Sequence, residues 1–248
     1  MRRLEPTLEL DDALGPYLDV ERDAGDGAWV LANMVATLAG STASGGKVGS
    51  LSTPADASLF RALRAVADVV LVGAETVRRE GYGPVRLDGD RQAARIDRGS
   101  APVPPLAVVS RSLDLDFTSP AFAEAETPTI VVTCASAPSD RLSLAEQHAA
   151  VVVAGDERVE VATAVDALAE RGLRVILCEG GPTLLGELAG AGLLDELCLT
   201  VTPVLGGDDL PIARVPAGVD LQAYELAHVL VDDDHALFVR YTKASAGG

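Results

Sequence analysis

The residues best suited to chemistry stand together in Glu179-Gly180-Gly181-Pro182-Thr183-Leu184-Leu185, directly after the apolar run Val175-Ile176-Leu177-Cys178. Two glycines at a strand end let backbone N–H groups approach an anion closely, a helix starting at Pro182 adds the partial positive charge of its N-terminus, and Thr183 adds a hydroxyl donor. The stretch reads either as a phosphate-binding turn or as an ordinary tight strand-to-helix connection. Its spacing is neither that of a P-loop nor Gly-x-Gly-x-x-Gly, so neither a P-loop NTPase nor an ordinary dinucleotide-binding dehydrogenase follows. A second strand end, Leu106-Ala107-Val108-Val109 running into Ser110-Arg111, sets a hydroxyl beside a guanidinium. That pair suits the 2′-phosphate that separates NADPH from NADH; the alternative is a surface arginine in a loop. A third, Val72-Gly73-Ala74-Glu75-Thr76-Val77, offers a glycine and a hydroxyl, with Arg64 on the helix before it. Arg64 is then either a phosphate ligand or the ion-pair partner of Asp68 or Glu75.

Other constellations are missing. His148, His228 and His235 have no neighbours that would complete a triad or a metal set, and Cys134, Cys178 and Cys198 stand singly in apolar runs, so no metal site is expected. The cysteines read as buried thiols, which predicts a reducing, cytoplasmic setting. A net charge of −17 with no compensating Lys/Arg cluster repels nucleic acid and anionic lipid. No apolar stretch is long enough for a membrane span, and the start of the chain turns acidic before any apolar run, against a secretory signal. Phosphorylated small molecules must be met by a few placed arginines.

The elements that would position these residues are legible along the 248-residue chain. Residues 1–28 are acidic and turn-rich without a sustained period, an extension wrapping the domain; 29–243 form the domain and 244–248 a flexible tail. Short apolar runs predict strands at Trp29–Ala36, Val69–Gly73, Leu106–Ser110, Thr129–Thr133, Val151–Ala154, Arg174–Cys178 and Glu196–Thr202. Ser52-Thr53-Pro54 with Asp56 close behind marks a helix start, followed by Leu59, Phe60, Leu63 and Val66 on one face. Further helices are expected at Ser139–His148, Val161–Arg171 and Pro182–Ala191, and residues 78–105 as a long loop carrying one short helix. Tyr224–Val231 and Ala236–Thr242 read as a terminal antiparallel hairpin. The alternation predicts an α/β fold: a mixed, mostly parallel sheet with helices on both faces.

In this order the segments resemble the reductase domain of the riboflavin-pathway enzymes, the pyrimidine reductase family with a dihydrofolate-reductase-like fold. The resemblance runs from about Trp29 to Tyr241 and is carried by Leu63-Arg64-Ala65, Val72 to Val77, Glu179 to Leu185, Gly192-Leu193-Leu194-Asp195-Glu196-Leu197 and Pro203-Val204-Leu205-Gly206-Gly207. It implies NADPH-dependent reduction of 5-amino-6-(5-phosphoribosylamino)uracil, or a related phosphorylated pyrimidine or pterin-like substrate, by a homodimer. By position it implies cofactor contacts at Val35, Ser50, Thr76, Ser110, Arg111, Gly180, Gly181, Pro182, Thr183, Leu184 and Leu185. Substrate contacts fall at Arg64, Pro84, Arg86 and Glu179, with Glu179 also the catalytic candidate. No His-x-Glu with Pro-Cys-x-x-Cys occurs, so deamination is expected from another protein.

One departure bears on the chemistry. Where the family usually reads Ser-Leu-Asp-Gly, with the acid beside the reacting centre, this sequence reads Thr37-Leu38-Ala39-Gly40, and Val48 takes the place of a family serine. General acid–base assistance is worth roughly a hundredfold to ten-thousandfold. Two alternatives therefore stand beside the reductase: a dihydrofolate-reductase-like activity on another heterocycle, and an NADPH-binding protein that has lost catalysis. Glu80 and Glu179 are the carboxylates that would replace the missing acid.

Overall fold

A computed structural model describes residues 10–244. Residues 1–9 of the extension expected over 1–28, and all but Ala244 of the tail expected over 244–248, lie outside the described residues. The strands β1 (Trp29–Ala36), β2 (Val69–Gly73), β3 (Leu106–Val109), β4 (Ile130–Thr133), β5 (Ala150–Val153), β6 (Val175–Cys178) and β7 (Glu196–Val201) all run parallel. The hairpin β8 (Tyr224–Val231) and β9 (Leu237–Lys243) adds antiparallel through β9 to β7. The nine-stranded order is β5-β4-β3-β2-β6-β1-β7-β9-β8. This is the mixed, mostly parallel sheet with a C-terminal hairpin that the alternation predicts.

Strands buried on both faces explain the continuous apolar runs. Leu31, Val70, Val72 and Leu177 point to one layer, against Leu59 and Leu63 of α2 (Pro54–Val66). Their neighbours Val30, Ala32, Val69, Leu71, Ile176 and Cys178 point to the other, against Leu168 of α7 (Val161–Ala169) and Leu184, Leu185 and Leu188 of α8 (Pro182–Gly190). Each such leucine contributes about 1.5–3 kcal/mol by leaving water.

Helix α2 begins where the sequence says: the Thr53 hydroxyl accepts the Asp56 N–H at 3.2 Å, and Pro54 takes the first turn. It ends where the buried Arg95 guanidinium donates to the carbonyls of Ala65 and Ala67, satisfying orphan acceptors of the last turn. Arg95 lies in α4 (Gly89–Asp97), the short helix expected within the long loop. That loop starts later than expected, because α3 (Ala74–Glu80) follows β2 at once and stops at Gly81 in the left-handed region, φ +62. The remaining helices are α1 (Leu10–Leu18), α5 (Pro120–Ala123) and α6 (Ser139–His148).

Helix α1 has no counterpart in the sequence reading. It is nine residues long, with Pro16 inside it, too short to show a period. Tertiary contacts hold this segment instead: Tyr17 is buried edge-on against His228 at 4.4 Å. Arg22 donates to both oxygens of Glu196, at 2.9 and 3.0 Å. Arg240 at 2.7 Å and the Trp29 indole N–H at 3.1 Å complete the shell of this fully buried carboxylate, at the amino end of β7.

Burial opposes the Glu196 charge, but Arg240 and Arg22 outweigh it and hold the carboxyl below its usual range. Burial, aided by Arg240, also lowers the His228 pKa. Both groups take up protons more readily in the unfolded chain, so stability is full above their ordinary values and falls with acidification. The loss begins near 6.5 for His228 and continues below 4.5 for Glu196. Glu196→Ala is expected to cost about 3–5 kcal/mol in urea unfolding, because two buried guanidinium groups lose their carboxylate. The emission of Trp29, the single tryptophan, should shift to the red at the same time; an unchanged midpoint would show that the cluster does not hold the segment.

Candidate active site

Strand β6 is inserted between β2 and β1, so the strand order reverses there and the carboxyl ends of the three open a crevice. It forms a cavity of about 510 Å³ whose lining includes Asn33, Asp56, Phe60, Arg64, Tyr82 and Glu179.

The glycine turn makes one wall. Gly180 lies at φ +91 against Met34, its carbonyl accepts the Gly73 N–H at 2.9 Å, and the Gly180–Gly181 peptide is cis. A Cβ on Gly181 would stand 2.7 Å from the Thr76 hydroxyl oxygen, so only glycine lets α3 and the turn approach this closely. Gly181 also caps α8 without a side-chain hydrogen bond, which leaves the positive end of that helix at the cavity with Pro182, Thr183 and Leu184 on its rim.

The floor is an ion pair. Arg64 Nε donates to Glu179 Oε1 at 2.6 Å and its second nitrogen to Oε2 at 2.7 Å, while the Tyr82 hydroxyl donates to Oε2 at 2.8 Å. The Glu179 side chain is 1% exposed and that of Arg64 13%. The Phe60 ring lies 4.1 Å from the guanidinium carbon. Burial works against the Arg64 charge, but Glu179 more than compensates and raises its pKa. Burial, with Glu179 second, pushes the Tyr82 hydroxyl well above the phenol range, so it stays a donor. Three donors on one carboxylate hold the Glu179 side chain in a single position against the cavity.

Three further polar groups face the cavity. Asp56, 6% exposed, accepts from the hydroxyls of Ser52 and Thr200, the latter at 2.7 Å. Asn33, 8% exposed, has its carbonyl oxygen buried with no hydrogen-bond partner among the described residues. Glu80 accepts the Val48 N–H at 3.3 Å. Among the described residues no three His, Cys, Asp or Glu side chains come together in a way that would hold a metal.

Of the residues singled out in the sequence, Val35, Arg64, Thr76, Pro84, Glu179 and Gly181 to Leu184 line the cavity. Gly180 and Leu185 stand behind it, Leu185 in the core. Ser50 donates to the Ser44 and Lys47 carbonyls outside the lining, and Arg86 bridges Glu124 at 2.9 Å and Glu126 at 3.9 Å. Ser110 is buried and accepts the Leu113 N–H at 3.0 Å; Arg111 is exposed at the end of β3. Arg64 is paired with neither Asp68 nor Glu75. The sequence reading missed Tyr82, Asn33 and the site role of Asp56, which it took only as a helix-start acid. Ala39 is exposed and outside the lining.

The model of the RibD C-terminal domain matches residues 28–238. The chain belongs to the RibD C-terminal domain family. Within reach of this family, it is 29% identical over 162 residues to the 2,5-diamino-6-ribosylamino-4(3H)-pyrimidinone 5′-phosphate reductase of Archaeoglobus fulgidus, covering 65% of this chain and 74% of that one. The Aquifex aeolicus protein of the same name is 32% identical over 151 residues, 60% of this chain and 63% of that one. Among solved structures, a pyrimidine reductase-like protein of Corynebacterium diphtheriae superposes with a TM-score of 0.79 at 26% identity, covering 94% of this chain and 95% of that one.

The floor pair sets a measurable energy. Glu179→Ala is expected to lower unfolding free energy by about 3 kcal/mol, the lower end for an orphaned buried charge because Arg64 still reaches the cavity. Tyr82→Phe, which removes one donor to a carboxylate, should cost about 1.5 kcal/mol. Equal, near-zero effects in denaturant titrations would mean that the pair is not structural.

Proposed function

We propose that this chain is an NADPH-dependent reductase of a 6-(phosphoribosylamino)pyrimidine, the substrate class in the names of its A. fulgidus and A. aeolicus relatives. The observation that carries the reading is the Gly180–Gly181 turn, cradled by Thr76 at the mouth of a cavity floored by Glu179 and Arg64. The turn and the first residues of α8 would hold the pyrophosphate of the cofactor. At the end of β3, Ser110 and Arg111 would meet the 2′-phosphate; Arg111 is exposed and forms no ion pair among the described residues, so its charge is available.

NADPH supplies hydride to the sugar carbon that bears the amine. The chain's residues provide orientation and exclude water, which is most of what hydride transfer asks of a protein. Glu179, locked by Arg64 and Tyr82, presents a fixed negative surface beside the reacting sugar. With Ala39 outside the lining, Asp56 and Glu80 are the cavity carboxylates that have no cation partner among the described residues.

We further propose a cytoplasmic homodimer. Three buried free thiols suit a reducing compartment, and no helix among the described residues is long and apolar enough to cross a membrane.

Steady-state NADPH oxidation with the phosphoribosylaminopyrimidine and with dihydrofolate side by side tests the activity; turnover of dihydrofolate alone would replace this reading with the alternative one. The native protein is expected to turn over, with Ala39→Asp changing the rate little. An inactive native protein rescued by Ala39→Asp would show instead that catalysis had been lost. For the cofactor, Arg111→Ala should weaken NADPH by about 1.5–3 kcal/mol, roughly ten- to 150-fold, with NADH nearly unaffected in fluorescence titration. Equal losses for both would remove Arg111 from the 2′-phosphate site.

A further inference from the structure

The substrate class proposed above carries a phosphate dianion, and a chain of net charge −17 has to meet it with placed cations. The positions at which the resemblance puts substrate contacts do not offer a free one. Arg64 is closed on Glu179 by two hydrogen bonds, Arg86 bridges Glu124 and Glu126 outside the cavity lining, and Pro84 bears no charge. Val48, in the place of a family serine, lines the cavity with a side chain that cannot donate. The remaining cations of the lining are Arg61, Arg79 and Arg214.

Arg214 belongs to the side of the glycine turn: its N–H donates to the Pro182 carbonyl at 2.8 Å, and a Cβ on Gly186 of α8 would fall 2.0 Å from its carbonyl oxygen. Arg61 and Arg79 belong to the other side. Arg61 lies one turn before Arg64 on α2, and Arg79 stands in the last turn of α3, three residues before Tyr82. Because the Glu179 carboxylate receives both Arg64 and Tyr82, it ties α2 to the residue just beyond α3, and both further guanidinium groups reach the same cavity. Neither is committed to a buried carboxylate among the described residues. Arg61 donates to the Ser58 hydroxyl at 3.2 Å, and Arg79 reaches Glu75 at 3.2 Å with side chains 40% and 77% exposed. An exposed pair of this spacing shifts an equilibrium by only about a factor of two, so a dianion displaces it readily. Glu80, the next acid on α3, is turned to the Val48 N–H at 3.3 Å.

Resting on the reductase reading above, we infer that Arg61 and Arg79 grip the phosphate of the substrate between α2 and α3, an anion subsite separate from the Arg64 and Arg86 positions of the resemblance. Two guanidinium groups from different helices, each with a fork of N–H donors, can share the terminal oxygens of a phosphomonoester. The division of labour follows from burial. Arg64, nearly enclosed, is spent on fixing Glu179, whereas Arg61 and Arg79 stay at the open side, where a hydrated dianion can arrive without being stripped of all its water.

Kinetics with the phosphoribosylaminopyrimidine and with its dephosphorylated riboside test the subsite. Arg61→Ala and Arg79→Ala should each lower kcat/KM for the phosphorylated substrate by about tenfold or more, the loss expected for a charged hydrogen bond, and leave the riboside within about twofold, a selectivity that misfolding cannot mimic. Equal losses on both substrates would overturn the assignment. So would a phosphate-dependent loss carried by Arg86→Ala or Arg214→Ala while Arg61→Ala and Arg79→Ala change nothing. If neither substrate is reduced, the reductase reading fails, and the subsite is tested separately by calorimetric titration of the full chain with ribose 5-phosphate. Binding weakened by about tenfold in both Arg61→Ala and Arg79→Ala would uphold it. No binding to the native protein, or binding unchanged in the two variants, would end it.

Discussion

A carboxylate at the end of a strand covered on both faces cannot remain alone, and much of the site follows from how Glu179 is compensated. Its place is fixed by β6, wedged between β2 and β1, so a cation has to come from the layer above. Helix α2 supplies Arg64, with the right pitch because the Thr53 cap and Pro54 set where its first turn begins. Arg64 is steadied by Phe60 one turn earlier on the same helix, and Tyr82 reaches in from just beyond Gly81, the residue that stops α3. Three separate segments converge because one buried charge requires them. The pair is less a source of stability than a fixed frame, since the desolvation of both ions offsets much of their attraction.

The framework was legible because short apolar strands alternate with capped helices. β1 and β2 fall on their predicted residues, and the α2 start rests on a hydroxyl, a proline and an acid whose roles are local. The glycine turn was legible for a similar reason, since the space that Gly181 must leave for Thr76 is a property of two short motifs. What could not be read were pairings across the fold. Arg64 and Glu179 are 115 residues apart, and nothing in either neighbourhood names the other. Arg22 and Glu196 are 174 apart, so α1 looked like a featureless extension although its neighbour Arg22 is anchored on a buried carboxylate. Tyr82 sits in a polar stretch with no period, where an aromatic residue carries no local signal.

The same constraint operates at the two ends of the sheet. At the amino end Glu196 is surrounded by two guanidinium groups and an indole, and its side chain is fully buried. At the carboxyl end Glu179 has one guanidinium and one phenol, and the opening that remains is the cavity. A buried anion fully enclosed by its donors serves folding; one enclosed on a single side also shapes whatever occupies the other. Asp56 goes a step further, since among the described residues it has hydroxyl donors and no cation.

That gradient changes the meaning of Ala39. In the family pattern an acid stands beside the reacting centre after the first strand, and its absence here looked at first like the loss of a catalyst. The residue lies outside the cavity lining, whereas Glu179, Asp56 and Glu80 lie within it. The hydride transfer proposed above asks the protein mainly for a rigid pocket, and the turn at Gly180–Gly181 with the Arg64–Glu179 floor supplies one. The proton is the smaller requirement, because the cavity carries carboxylates of its own. The absence of an acid at Ala39 therefore leaves untouched the cavity that Glu179, Arg64, Tyr82 and the Gly180–Gly181 turn build.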